Sequence, residues 1–302
     1  DGSGGSAVTT GTANSSGYNS STVGLFSREA SLELTNAKWG SLKGGYITNP
    51  AYLAFTNGDI TPSRNTLGTV TYWKAMTAID GVDATFMKNA LSYTTPSFGG
   101  LTLNAYYSFG GNQKFLSATA ANTGTTQVGT TALGGAQGGT INSIQGATVN
   151  YINGGLALAG AYQQTFTTDG TQNGTVQGVY GTYTLGKASV AAGYTQFKNP
   201  TVSTGQNDYY LSSIGAAYAV TPVLKLNVAY HNFAHQGDGT KGANSWAVGA
   251  DYTLSARTML YGVYGQMNNS TAQTLSTFVN DAGTVTAGQS STGVVVGVRH
   301  MF

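Results

Sequence analysis

No window of this chain approaches the roughly 18 consecutive apolar residues that a membrane-crossing helix needs, yet only 8% of its 302 residues are charged. Ordinary soluble domains carry about 25% charged residues. A chain this poor in charge suits contact with hydrocarbon, but a chain without long apolar runs cannot enter hydrocarbon as helices. The closed antiparallel β-barrel satisfies both conditions. Its lipid-facing apolar positions alternate with polar lumen-facing ones, so hydrophobicity never accumulates in one stretch.

The alternation can be read directly. In 101–109, Leu101, Leu103, Ala105, Tyr107 and Phe109 share one face, opposite Thr102, Asn104, Tyr106 and Ser108. In 224–231, Leu224, Leu226, Val228 and Tyr230 oppose Lys225, Asn227, Ala229 and His231. In 246–254, Trp246, Val248, Ala250, Tyr252 and Leu254 oppose Ala247, Gly249, Asp251 and Thr253. Period-2 alternation marks strands with two unlike faces. Turn-forming residues at 36–40, 96–100, 153–155, 185–187, 221–222 and 255–257 join such strands into hairpins. Longer polar stretches, 110–142 and 267–290 among them, separate the hairpins. Residues 1–22 are rich in Gly, Ser, Thr and Asn and read as an extracellular loop ahead of a single barrel domain, 23–302. No segment shows helical periodicity.

A soluble β-sandwich would alternate in the same way, but tyrosine placement separates the two. Tyr151, Tyr183, Tyr218 and Tyr252 each precede a short turn on the apolar face. Tyr107, Tyr162, Tyr194, Tyr230 and Tyr264 each follow a turn by about seven or eight residues. Eight residues rising roughly 3.3 Å each, tilted about 45°, climb near 19 Å. That is close to the apolar band of about 25 Å between the aromatic girdles of outer-membrane barrels.

Enzymatic and metal chemistry find little support. The chain has no cysteine, so thiolate ligands and nucleophiles are excluded. His231 and His235 are spaced i, i+4, a metal pair on a helix but not on a strand end, and His300 falls in the C-terminal strand. No nucleophile–base set clusters at one rim, and the glycine pairs precede no helix. A net charge of +2 gives no footprint for nucleic acid.

The C-terminal run GVVVGVRHMF, from Gly293 to Phe302, resembles the last strand of Gram-negative trimeric porins of the neisserial and acidovorax type. LFSREASLEL (25–34) with WGSLKGGY (39–46) resembles the strand pair before that family's third loop. KNALSYTTPSFGGLTLNAYYS (88–108) resembles the pair after it. The resemblance implies an all-β transmembrane antiparallel barrel of 16 strands, with residues 49–87 as a constriction loop folded into the pore. It implies a homotrimer in outer-membrane lipid that passes small hydrophilic solutes and ions passively, without a cofactor and without catalysis. It makes Phe302 part of the outer-membrane insertion signal. Thirteen strands are countable from Leu25 to Phe302. Strand parity then leads us to expect three further strands ahead of residue 1.

For such a channel the working residues are lumen charges. Alternation puts Glu29, Glu33, Lys43, Lys225, Asp251 and Arg299 on the inner face. The inserted segment adds Asp59, Arg64, Lys74, Asp80 and Asp83, with Lys88 on the strand that follows. Ser92 and Tyr46 stand where relatives often carry arginine, which weakens the family's expected anion preference. Two other readings stay open. One is a substrate-specific channel on the same fold, with Tyr52, Phe55, Tyr72 and Trp73 as a binding track. The other is a secreted β-rich adhesin.

Overall fold

The computed structural model describes residues 29–57, 59–60, 68–79, 85–109, 143–166, 172–199, 208–277 and 285–301. The segments 1–22 and 110–142, and Arg64, Asp80, Asp83 and Phe302, lie outside the described residues.

Thirteen strands form one sheet. They are β1 (Ala30–Asn36), β2 (Gly40–Thr48), β3 (Phe86–Thr94), β4 (Leu101–Ser108), β5 (Ile144–Asn153), β6 (Leu156–Phe166) and β7 (Gln172–Leu185). The series continues with β8 (Ala188–Lys198), β9 (Tyr209–Ala219), β10 (Leu224–His235), β11 (Ala243–Ser255), β12 (Thr258–Asn269) and β13 (Ser291–His300). Their spatial order is their chain order, and every neighbouring pair is antiparallel. The strands match the number and positions that alternation anticipates. No helix among the described residues is long and apolar enough to cross a membrane.

Short connections join β1 to β2, β3 to β4, β5 to β6, β7 to β8, β9 to β10 and β11 to β12, all at one end of the sheet. Three of these are two-residue turns, and in one, Gly154–Gly155, Gly154 takes φ 56°, a left-handed conformation that suits the twist of a two-residue hairpin. In outer-membrane barrels short turns mark the periplasmic end.

The two faces are inverted relative to a soluble protein. Leu32, Leu103, Leu158, Ile214, Val228, Val248 and Val296 are exposed on the outer face. Gln163, Thr165, Thr195, His231 and Ser245 are buried on the inner one. A sheet in water would hide the first set and expose the second, whereas a sheet in hydrocarbon does the reverse. The girdles follow the register. Tyr183 stands opposite Leu156, Tyr218 opposite Ala188 and Tyr252 opposite Leu224, each at the first residues after a short turn. Tyr162, Tyr194, Tyr230 and Tyr264 stand further up, all outward and part-exposed. Trp246 joins this upper belt edge-on to Tyr264, at 5.5 Å.

Two helices correct the expectation that no segment is helical. They are α1 (Pro50–Thr56) and α2 (Thr69–Ile79), and both lie in the stretch read as a constriction loop. That stretch also ends earlier than the sequence suggests, because Phe86 and Met87 already belong to β3. A helix wedged against a wall is apolar on most sides, so it carries no clean stripe for sequence periodicity to detect.

Val228 lies on the outer face between the girdles. V228R is expected to cost about 2–4 kcal/mol, read by denaturant unfolding from lipid vesicles. Thr184→Arg, on the lumen face, should change stability by no more than about 0.5 kcal/mol. Equal losses at both sites would overturn the assignment of faces.

Candidate functional site

The inserted segment leaves the wall at Asn49 and returns at Thr85. The Asn49 N–H donates to the Thr85 carbonyl at 3.0 Å and ties its two ends together. Asn49 is also the N-cap of α1: its side-chain oxygen accepts from the Ala51 N–H at 2.9 Å, and Pro50 occupies the first turn. Both are preferred helix-start residues. The Asn49 amide donates to Gln163 Oε1 at 2.6 Å, and the Tyr106 hydroxyl donates to the same oxygen at 3.0 Å. Three elements thus meet at one buried glutamine on β6.

From this anchor α1 runs over β5, β6 and β7. Phe55 packs edge-on against Tyr180 of β7 at 5.6 Å and against Trp73 of α2 at 5.3 Å. The Asn57 carbonyl accepts from Thr182 Oγ1 at 3.2 Å, pinning the end of α1 to the same strand. Beyond it Ile60 sits over Gly215 of β9. A Cβ at Gly215 would come within 2.4 Å of Ile60 Cγ2, so only glycine lets the segment lie this close to the wall.

Helix α2 is capped from a distance. Asp59 Oδ2 accepts from the Thr69 N–H at 2.7 Å and from Thr69 Oγ1 at 3.0 Å. The Tyr72 hydroxyl donates to Ser245 Oγ of β11 at 2.6 Å, a partner 173 residues away in sequence. Its ring lies 5.4 Å from His231 and 5.6 Å from Phe233, both on β10. Burial pushes the Tyr72 phenol above its ordinary range despite the Ser245 hydrogen bond, so it acts as a neutral donor. Tyr72, Trp73 and Met76 share one buried cluster with Ala243, Ala247, Val263 and Met267. A segment rooted between β2 and β3 reaches β5 through β11 only because the sheet curls around it.

The charges fall into three groups. At the upper end of β1–β2, Lys43 Nζ pairs with Glu29 Oε1, and Glu29 also accepts from Ser31 Oγ at 3.0 Å and Thr48 Oγ1 at 3.2 Å. Glu33 stands opposite Lys43 in the ladder and accepts from Ser41 Oγ. Near the periplasmic end, Lys225 and Asp251 face each other across β10–β11 at 3.2 Å. Arg299 alternates with outward Val298 on β13. Lys88 is exposed beside Asn89, whose φ of 47° marks the bulge on β3. Lys74 lies on α2. The structure therefore brings Glu29 to Lys43 and Lys225 to Asp251, and engages Asp59 in holding α2.

Phe55, Tyr72 and Trp73 have no exposed surface. They are the seam between segment and wall and present no binding track to the lumen. The i, i+4 histidines separate as well: His231 lies under Tyr72, and His235 packs edge-on to Tyr209 at 4.6 Å. Sequence reading missed Asn49, Gln163 and Tyr106. An Asn-Pro pair closing a strand is a helix-start signal and could have revealed the first.

Together these features define a membrane β-barrel whose lumen is narrowed by an inward-folded segment. The Gram-negative porin family model matches residues 2–272, and the chain belongs to that family. It is 28% identical over 300 residues to outer membrane porin protein 32 of Delftia acidovorans, covering 96% of this chain and 76% of that protein. An outer membrane porin of Bordetella pertussis is 27% identical over 321 residues, with 96% and 76% covered. Among solved structures, the anion-selective porin from Comamonas acidovorans superposes with TM-score 0.67 at 23% identity, covering 92% of this chain and 78% of that one. Salmonella typhi OmpF superposes with TM-score 0.62 at 17% identity over 91% and 78%. The chain is an outer-membrane channel for passive diffusion.

Phe55→Ala removes the ring that joins α1, α2 and β7. The docking of the segment should lose about 3–5 kcal/mol, and single-channel current should become larger and noisier. A second expectation follows from Glu29. The Lys43 ammonium, hydrogen-bonded to it, holds its carboxyl below the usual carboxylate range against the opposing effect of burial. Its pairing is therefore complete above the ordinary glutamate value of about 4.3 and is lost only as pH falls through the depressed value. Freed of its partner, Lys43 should shift the reversal potential toward anions only as pH falls below about 4.3. E29Q should lack that part of the shift.

Proposed function

We propose that solutes pass between the inserted segment and the wall formed by β1 to β4, and that Glu29, Glu33 and Lys43 sort ions there. The observation that carries this reading is the one-sided docking of the segment. Away from its root, where Ala51 also hydrogen-bonds Tyr106 of β4, its hydrogen bonds and ring contacts go to β6, β7, β10 and β11, and they leave the charged inner face of β1 and β2 facing the lumen. Lys225, Asp251 and Arg299 form a second charged zone toward the periplasmic mouth. Asp59, Arg64, Lys74, Asp80, Asp83 and Lys88 contribute through the segment and the strand that follows it. Cations and carboxylates occur in near-equal numbers along the wall, which supports weak ion selectivity rather than the anion selectivity named for the Comamonas structure. The working unit is a homotrimer, as in the family this chain belongs to, and small hydrophilic solutes cross it down their gradients.

Planar-bilayer recording under a salt gradient tests the reading. Conductance should rise in steps of three. Lys43→Ala should move the reversal potential toward cations, and Glu29→Gln should move it toward anions. Reversal potentials unchanged in both variants would remove these residues from the permeation path.

A further inference from the structure

The passage between the inserted segment and the wall has two unlike sides, and their chemistry selects a class of solute. Across β1 to β5 the inner face carries one continuous row of uncharged polar side chains. Register pairs Thr35 with Ser41, Ser41 with Thr94, Thr94 with Asn104, and Asn104 with Thr148. The row takes four strand steps, about 19 Å at roughly 4.8 Å per step. Because strands tilt in such barrels, a row across them also advances along the channel. Thr35 is exposed, and Ser41, Thr94 and Asn104 are half-buried.

The hydrogen bonds within this row leave a mixed set of groups for a visitor. The Asn104 amide donates to Ser92 Oγ at 2.7 Å and to Thr94 Oγ1 at 2.8 Å. Ser92 and Thr94 accept these bonds and keep their own hydroxyl hydrogens to donate. Asn104 Oδ1 has no partner among the described residues, and a buried acceptor left so is costly. Ser41 gives its hydrogen to Glu33 and keeps its lone pairs. Acceptor, donor and acceptor thus follow one another at Ser41, Thr94 and Asn104. A carboxylate only accepts, and an alkali cation only draws on lone pairs, so each satisfies part of such a row. A hydroxyl both donates and accepts, and a line of hydroxyls satisfies all of it. Lys43 stands opposite Ser92, but its ammonium is taken by Glu29, which denies an anion its counter-charge.

The segment's side is apolar. Helix α1 buries Ala51, Ala54, Phe55 and Thr56 but leaves Leu53 47% exposed. Leu53 is turned off the wall and into the lumen, where covering it with an apolar surface is favourable. We propose that the channel binds neutral, hydroxyl-rich solutes in transit, namely short oligosaccharides. Their hydroxyls engage the row from Thr35 to Asn104, and their C–H faces cover Leu53. A pyranose ring carries both kinds of surface, and a row of this length accommodates a short chain of them. The site rests on the permeation path assigned above, between the inserted segment and β1 to β4.

Planar-bilayer recording of the detergent-purified full chain tests this with maltotriose and, separately, succinate as probes. Maltotriose should reduce the wild-type ion current in a saturable, concentration-dependent way, and succinate at the same concentrations should not. The double variant Thr94→Val/Asn104→Leu, close in shape, should raise the half-blocking concentration of maltotriose about tenfold. Leu53→Asn should raise it as well, whereas Thr94→Ser, which keeps the hydroxyl, should not. β-Sheet circular dichroism equal to the wild type certifies that each variant folds. Thr94→Trp tests the path by itself and should lower ion conductance with no sugar present. Conductance unchanged in Thr94→Trp would overturn the path and this site together. Conductance lowered in Thr94→Trp, but with no maltotriose block in the wild type, would overturn the site and leave the path standing. Equal block by succinate, or block unchanged in the folded double variant, would do the same.

Discussion

The antiparallel ladder is the interaction on which everything else in this protein depends. In hydrocarbon an unpaired N–H or C=O costs several kcal/mol, so the main chain must satisfy itself strand by strand. Pairing each strand with its chain neighbours does this with short turns at one end and longer connections at the other. The pleat then leaves each residue only two choices, lipid or lumen. The outward Leu, Val, Ile and Tyr and the inward Ser, Thr, Asn and Gln are consequences of that choice. So is the scarcity of charge, since a charge is tolerated on one face alone.

A wall of this kind encloses more space than its own side chains fill, and the protein fills part of it with its own backbone. The inserted segment is held by side chains chosen for reach and shape. Gln163 gathers Asn49 and Tyr106, Phe55 bridges α1 to β7, and Tyr72 joins α2 to β10 and β11. Gly215 removes a side chain where Ile60 must lie flat. The result is asymmetric. One part of the wall becomes the bed of the segment, and β1 to β4 keep their polar inner face. In the reading proposed above, permeation follows from this asymmetry, with width set by where the segment docks and charge by what stands opposite.

Charged residues are few enough that each one's partner matters. Lys43 stands opposite Glu33 in the ladder, but its ammonium reaches Glu29, and Lys225 is matched by Asp251. Paired charges present a field to a passing ion that is weaker than their number implies. Ser92, where a family arginine is often found, donates no charge. It accepts instead from Asn104 at 2.7 Å.

The strand count, the six hairpins and the two tyrosine belts were legible in the sequence because a β-barrel imposes a period of two and a fixed height on every crossing. The helices α1 and α2, the capping role of Asp59 and the burial of Phe55, Tyr72 and Trp73 were not. Those residues meet partners more than a hundred positions away, and nothing local distinguishes an aromatic ring that lines a pore from one that seals a seam. What the sequence determined by itself was the wall, since alternation and turn spacing are local consequences of pairing in lipid. Only the tertiary structure decided where the inserted segment lies, because that docking depends on the curvature of the sheet and on contacts between residues far apart in the chain.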